Sequence, residues 1–455
     1  MSPTGLAMLC LAAAIGAVVV TTVYRRPQRG LLILATLTPL NGLLAIVPVG
    51  GLAGWKELLV AVTAACAWLR RTRPSSRAGS GLEMPWWPAV AVMMALGTVS
   101  ALAVFGVFGV VAIKVTFFYT SIVAILWFAP FDGRDRDNLV TILMVMGIVT
   151  SLVGIAQQIV GPGVLIELGY QYGQQIRTTG GVFRTFSTFN LPFPFALYVM
   201  LSLLVGGAVA LAAPHRRRNL IFLCFTPIMA VAMTSSIVRA SILGLLLGIV
   251  WLVAIRFRSG IAPLAGVAAT VAVCLPFLPA SVSDALFSSS SLNERNVGWS
   301  EILGSVFAYP FGRGLGSTGA AADRMAVASG VRPAQILSAA NYQPDNYYVK
   351  MLVEIGPIGL WALIALLVTV LLWTTRLSRI LPGDDGALAL GISASIVSIM
   401  AASTVSTYFE IFPLDVYFWL LLGVVGCAAA QHRRPLHPFE AAWSQSPPAR
   451  PGPAA

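Results

Sequence analysis

The chain has 455 residues, of which 57% are hydrophobic and only 10% charged, with a formal net charge of +12 and a mean hydropathy of +0.84. A soluble chain carries about a quarter charged residues, so this balance excludes a soluble globular enzyme and points to an integral membrane protein. Apolar runs of about 20 residues recur, each long enough to cross a bilayer as a helix, and the alternation that would mark a β-barrel is absent.

The first run, "GLAMLCLAAAIGAVVVTTVY", follows an uncharged "MSPT". A secretory signal carries a basic leader, so this run is expected to stay as the first span. Arg/Lys clusters then punctuate the chain at 24–29, 70–77, 132–137, 215–218, 256–258, 376–379 and 432–434. Two spans fit between successive clusters, which gives an all-α polytopic membrane protein of about 13 transmembrane helices (about 12–14). The expected spans are 5–23, 31–49, 52–69, 86–105, 110–129, 138–160, 191–213, 220–237, 240–255, 261–279, 346–374, 386–406 and 411–430. Basic clusters mark cytoplasmic loops, so the N-terminus is expected outside and the C-terminus inside. The +12 then reports orientation and contact with anionic membrane lipid, not nucleic acid. Residues 1–430 form one polytopic domain on this reading, and 431–455 a disordered cytoplasmic tail. Outer loops are expected at 161–190 and 280–345; the second far exceeds ordinary connections, and long loops are usually functional.

Two motif matches read as decoys. The Asp-Arg-Asp at 135–137 mimics a metal-holding Asp-x-Asp, but that motif works inside an α/β domain for which this short loop has no room; a solvated loop is expected. "GLGSTG" at 314–319 matches G-x-G-x-x-G without the strand and βαβ unit a dinucleotide site needs, so a tight turn is expected. The three histidines, His215, His432 and His437, all lie in predicted cytoplasmic segments, so neither a Ser-His-Asp arrangement nor a zinc site is expected on the outer face.

Four arginines fall at predicted outer helix ends. Arg177 and Arg184 sit in "RTTGGVFRTFSTFNLPFPFALY", Arg239 in "TSSIVRASILGLLLG" and Arg295 in "SSLNERNVGWSEILGSVFAYP", where Trp299 shares its helical face. An arginine near a membrane helix end is costly unless paired or wet. Any one alone snorkels to a lipid phosphate on the bland reading. Several together suit a diphosphate, because each guanidinium fork binds two phosphate oxygens. Lys114, in the outer third of the fifth span, either faces the same cavity or pairs with Glu57 or Asp415. In "QPDNYYVKMLVEIGPIGL" (343–360), Asp345 reads both as a helix N-cap and as a carboxylate able to take a proton. Glu294 and Glu301 are alternative bases, with Glu294 alternatively pairing to Arg295; Trp299, Tyr347 and Tyr348 stack on sugar rings or pack against lipid.

These segments, in order, resemble the O-antigen ligase/Wzy polymerase superfamily of bacterial membrane glycosyltransferases. "GIAQQIVG" (154–161) resembles the end of that family's span before its first large outer loop. "RTFSTFNLPFPFALY" is similar to its Arg…Gly-Thr-Phe…Pro-Asn block, with Arg184 on the arginine. "TSSIVRASILG" is similar to its Thr-x-Ser-Arg-Gly block, with Arg239 on the arginine. "ERNVGWSEILGSVFAYPFGRGLGSTG" is similar to its Arg-x-x-x-Trp…Pro-x-x-Gly-x-Gly block, with Arg295 on the arginine, and "DNYYVKMLVEIGPIGL" resembles its His-Asn-x-Tyr-Leu…Glu-x-Gly-x-x-Gly-Leu block. The matches cover about 154–360; the first five spans match in hydropathy alone. Ser187 stands where the family often has Gly, Ile237 and Val238 separate the serines from Arg239, Ala240 replaces a Gly, and Asp345 replaces the ligase histidine.

The resemblance implies a GT-C-like transferase without metal or cofactor, acting on the outer face of the bacterial plasma membrane. Its substrates would be a polyprenyl-diphosphate-linked glycan donor and a glycan acceptor, with a chain-length regulator and a flippase as further partners. Asp-Asn-x-Tyr is familiar in polysaccharide polymerases, which implies a polymerase in preference to a ligase. Arg184, Arg239 and Arg295 would hold the diphosphate with Arg177 in support, Asp345 or Glu294 would take the proton, and Trp299, Asn346, Tyr347 and Lys114 would line the substrate site. The alternatives are a ligase with a lipid or protein acceptor, and a lipid-linked oligosaccharide flippase, which should carry midplane charges and internal repeats.

Overall fold

The computed structural model describes residues 14, 16–46, 54–71, 82–257, 308–329 and 345–433. Glu294, Arg295, Trp299 and Glu301, the expected span 261–279 and the tail beyond 433 lie outside the described residues.

Helix after helix follows the apolar runs. A helical stretch at 16–25 leads into α1 (Gln28–Leu37), continued by a tighter 3-10 segment, Thr38–Ala45. Next come α2 (Trp55–Arg71), α3 (Trp87–Phe105), α4 (Gly109–Phe117) and α5 (Ser121–Phe128). A long α6 (Gly133–Glu167) leads to a hairpin of β1 (Arg177–Thr179) and β2 (Val182–Arg184), a small departure from an all-helical chain. Then follow α7 (Pro192–Ala212), α8 (Arg217–Thr234), α9 (Arg239–Ile255), α10 (Gly319–Ser329), α11 (Tyr347–Ile380), α12 (Gly383–Ala402) and α13 (Leu414–His432).

Six described stretches are long and apolar enough to cross a membrane: Trp87–Phe128, Gly133–Glu167, Pro192–Ala212, Tyr347–Ile380, Gly383–Ala402 and Leu414–His432. The first is a hairpin rather than one rod. Gly106 (φ 56) reverses it, and a Cβ on Gly109 would lie 2.4 Å from the Ala101 carbonyl oxygen. Large apolar side chains such as Val99, Ile159, Leu246, Trp361 and Leu372 point outward. Water makes such a surface costly, whereas acyl chains solvate it.

The buried hub is α12, which packs against α7, α9, α11 and α13. With lipid outside, apolar helices gain little from hydrophobicity alone, and close backbone approach with short hydrogen bonds takes over. A Cβ on Gly391 would sit 2.7 Å from Val205 Cα. Ser398 Oγ donates to the Gly244 carbonyl at 2.6 Å, and Trp251 Nε1 donates to Ser393 Oγ at 3.1 Å.

Four of the basic clusters, those at 24–29, 132–137, 215–218 and 432–434, meet in ion pairs at one end of the described bundle. Arg26 pairs with Asp132 at 2.8 Å and Asp135 at 2.9 Å, Arg218 with Asp137 at 2.7 Å, and Arg433 with Glu83 at 3.0 Å. The Asp-Arg-Asp motif is therefore not the solvated loop expected above. Asp132 caps α6 in a reciprocal capping box with Asp135. Arg136 is buried, with a two-pronged grip on Asp385 at 2.7 Å for both bonds and a third bond to Gln431 Oε1 at 2.7 Å. Both carboxylates serve the fold.

Candidate functional site

At the opposite end, the segments around Arg184 and Arg239 are tied into one unit. Gln158 Nε2 donates to the Phe183 carbonyl at 3.0 Å and to Thr185 Oγ1 at 2.5 Å. Its neighbour Gln157 exchanges two bonds with the Ser187 backbone, at 2.8 and 2.7 Å. Thr185 N donates to the Ser235 carbonyl at 3.3 Å, and Arg184 Nε to the Ser236 carbonyl at 3.0 Å. The "GIAQQIVG", "RTFSTFN" and "TSSIVR" segments thus meet. A satellite apolar core of Leu165, Tyr170, Ile176, Phe183 and Phe186 holds the hairpin above them.

The hairpin register places Arg177 opposite Arg184. Arg239 opens α9 three residues after Ser236, whose carbonyl accepts from Arg184. Burial, and then the positive charges of Arg177 and Arg239, push the Arg184 guanidinium down to about 10. Among the described residues no carboxylate forms an ion pair with Arg177 or Arg184. Arg184 instead lies over the Phe193 ring, 5.3 Å from its centroid. Like charges held together in a half-buried place favour an anion.

Backbone strain sits here too. Ser187 (φ 55) and Ile237 (φ 53) are non-glycine residues in the left-handed region. For a β-branched residue that is a true outlier, and such strain gathers at functional sites. Ser187 is also the position where the resemblance leads one to expect Gly, and its backbone explains why Gly would suit it.

The last two motif blocks form a second unit. α11 is kinked at Gly356 (φ 77), and Pro357 follows. Pro357 has no N–H for the Val353 carbonyl, and a buried carbonyl needs a partner. Arg313 N supplies it at 2.8 Å, while Gly314 N donates to the Glu354 carbonyl at 3.0 Å. Gly312 (φ 82) is needed for this approach, because a Cβ there would lie 2.4 Å from the Glu354 carbonyl oxygen. Thr318 N and Oγ1 each donate to Glu354 Oε1 at 2.9 Å. Of the "GLGSTG" donors, Gly314 N and Thr318 N bond α11, Leu315 N donates to Ser100 Oγ of α3 at 3.2 Å and Ser317 N to the Gly314 carbonyl at 3.1 Å, so they hold a tight turn rather than face a phosphate.

Beneath this loop lies a buried Lys-Glu-Glu cluster. Lys350 Nζ is 2.5 Å from Glu354 Oε1, 3.1 Å from Glu410 Oε1 and 2.9 Å from the Thr318 carbonyl. All three side chains are at most 1% exposed. Burial pushes the Glu410 carboxyl up, against the opposing pull of Lys350. The Lys350–Glu354 spacing was readable as an i,i+4 pair; Glu410, from a distant turn between α12 and α13, carried no such signal.

The remaining predicted site residues divide. The cap of α11 is Asn346, whose side chain accepts from Tyr348 N at 2.9 Å and Val349 N at 3.2 Å. Asp345, expected as the cap, is exposed one residue earlier. Tyr347 is buried, its ring 5.0 Å from that of Phe409, so a sugar reaches it only by displacing that packing. Tyr348 donates its hydroxyl to the Met400 carbonyl at 2.9 Å. Lys114 pairs with Glu57 at 3.1 Å and also lines a recess with Asp415. Arg239 and Asp345 flank the end of α12: Tyr347 N donates to the Ser403 carbonyl at 2.8 Å, and α9 runs back along α12 from its own start. No protein-family model matches the chain, and no curated protein matches it.

Proposed function

We propose that the chain is a GT-C-like membrane glycosyltransferase of about 13 crossings that polymerises polyprenyl-diphosphate-linked oligosaccharide repeat units on the outer face of the bacterial plasma membrane. The observation that carries this reading is the cluster of Arg177, Arg184 and Arg239. Three positive groups gather at the end of the bundle opposite the basic clusters, and burial with like charge lowers the affinity of Arg184 for its own proton. A diphosphate offsets that repulsion, and the ordered motif resemblance supplies its chemical context.

In the proposed reaction an acceptor hydroxyl oxygen attacks the anomeric carbon of the donor. The carbon–oxygen bond to the diphosphate breaks with inversion, the hydroxyl proton passes to a carboxylate, and polyprenyl diphosphate leaves with the electron pair. Arg184 and Arg239, with Arg295, stabilise charge as it develops on the leaving group. Preorganised donors of this kind contribute about 3 kcal/mol each. Asp345 is the proposed base, with Glu294 as the alternative, and such a base contributes about 10²–10⁴-fold.

A flippase would claim the buried Lys350–Glu354–Glu410 cluster, since intramembrane ionisable groups mark transport paths. That cluster belongs to the first two turns of α11 and its neighbouring turns, at the bundle end rather than the midplane. A deletion strain separates polymerase from ligase. Single repeat units left on the carrier support the polymerase; intact polymer stranded on the carrier would make the chain a ligase.

A further inference from the structure

A basic recess lies at the end of the bundle that holds the ion pairs, between the starts of α1 and α6, two helices that pack against each other. It encloses about 190 Å³ and is lined by Arg26, Arg29, Leu32, Arg134, Asp135 and Asn138. A cavity of about 150 Å³ already admits benzene, so a phosphate-sized group has room here. The chemistry proposed for the opposite end makes no use of it.

Its charges are unevenly spent. Arg26 is held by Asp132 at 2.8 Å and by Asp135 at 2.9 Å, so the one carboxylate in the wall is already answered. Arg29 and Arg134 are exposed, and among the described residues neither forms an ion pair. Asn138 stands one turn on from Arg134 along α6, is exposed as well, and adds an amide donor. Two guanidinium forks and an amide therefore face one space. A cation is repelled there, whereas phosphate oxygens satisfy all three groups.

The surroundings favour a phosphate carried on a lipid. Leu32 lies one turn beyond Arg29 and gives the recess an apolar wall. Further along α1, Leu37 is exposed; further along α6, Val145, Val149 and Leu152 follow Asn138 at helical spacing and are exposed too. A basic head thus opens onto an apolar track that runs toward the middle of α6. Free phosphate gains nothing from such a track, and an acyl chain does. Loop arginines without fixed neighbours attract anionic lipid with no preferred place. Here the two ion pairs of Arg26 tie the turn before α1 to the start of α6 and hold the gap between Arg29 and Arg134.

We infer that this recess is a site for the headgroup of an anionic phospholipid. Arg29 and Arg134 grip its phosphate, Asn138 donates to it, and one acyl chain lies along Val145, Val149 and Leu152. The inference does not rest on the glycosyltransferase reading. It is tested by native mass spectrometry of the full-length protein in detergent, titrated with phosphatidylglycerol, with phosphatidylcholine, and with phosphatidylglycerol in the presence of inorganic phosphate. The parent should bind phosphatidylglycerol about tenfold more tightly than phosphatidylcholine. The double variant Arg29→Ala/Arg134→Ala should lose that preference. The control Arg376→Ala/Arg379→Ala removes two exposed arginines from the end of α11 and should keep it. Both variants change exposed side chains outside the ion pairs, so melting temperatures should match the parent. Equal binding of the two lipids by the parent overturns the inference, and so does an equal loss in both double variants, which would mean diffuse attraction to charge. Displacement of the lipid by an equal concentration of inorganic phosphate overturns it too, because the ligand would then be a free anion.

Discussion

Replacing Arg184 with Gln should make the ligand-free protein more stable while destroying its response to diphosphate. The guanidinium falls well below its ordinary value, to about 10, because burial and then Arg177 and Arg239 disfavour its charge. At about 1.4 kcal/mol per tenfold, that is a penalty of about 3 kcal/mol on the folded state. Solvent screening reduces it, and Gln forfeits the bond to the Ser236 carbonyl at 3.0 Å, worth about 1 kcal/mol. The net gain expected for Arg184→Gln is about 1–2 kcal/mol. The unfolded chain holds this proton more tightly than the folded one, so stability rises with pH only as pH passes upward through about 10. Below that the penalty is fully present, and the difference between parent and variant should stay flat from about pH 6 to 9. The assay is denaturant unfolding in detergent, with and without inorganic diphosphate. At about a hundredfold excess over Kd, diphosphate should stabilise the parent by about 2.7 kcal/mol and the variant hardly at all. A ligand-free variant less stable than the parent by more than about 1 kcal/mol, or an equal diphosphate response in both, refutes the reasoning.

Lys350→Met should destabilise by about 3–5 kcal/mol, because it leaves two buried carboxylates without a counter-charge; Glu410→Gln, which leaves one lysine facing one glutamate, should cost far less, and unfolding midpoints compare the two. Gly312→Ala should lower stability by about 2 kcal/mol or more, since the new Cβ meets the Glu354 carbonyl in a left-handed backbone, read by the same unfolding assay. Asn346→Ala should lose about 1 kcal/mol of capping, whereas Asp345→Asn should leave stability unchanged and abolish polymerisation in a complemented deletion strain. Wild-type polymer from Asp345→Asn would remove Asp345 as the base.

Helix positions were legible because apolar run length and basic punctuation are local signals; α7, α11, α12 and α13 lie on the expected spans to within a few residues or, for α11, extend one. Arg184 and Arg239 were legible for the same reason, as charges at the edges of apolar runs. The Asp-Arg-Asp motif was misread because the partners that bury it, Arg26, Asp385 and Gln431, are remote in sequence. Neighbouring Asp345 and Asn346 are both good caps, and only the backbone decides between them. The basic recess needed tertiary structure outright, since Arg26, Arg29, Arg134 and Asn138 come from two separate parts of the chain.

The most direct test of the central claim is turnover by the purified protein in lipid vesicles, with the carrier-linked repeat unit presented on the outer leaflet and EDTA present. The expected result is a ladder of longer chains with one polyprenyl diphosphate released per bond formed, lost in Arg184→Ala and Arg239→Ala. Movement of the carrier across the bilayer with no new glycosidic bond, or a ladder unchanged in both variants, would contradict it.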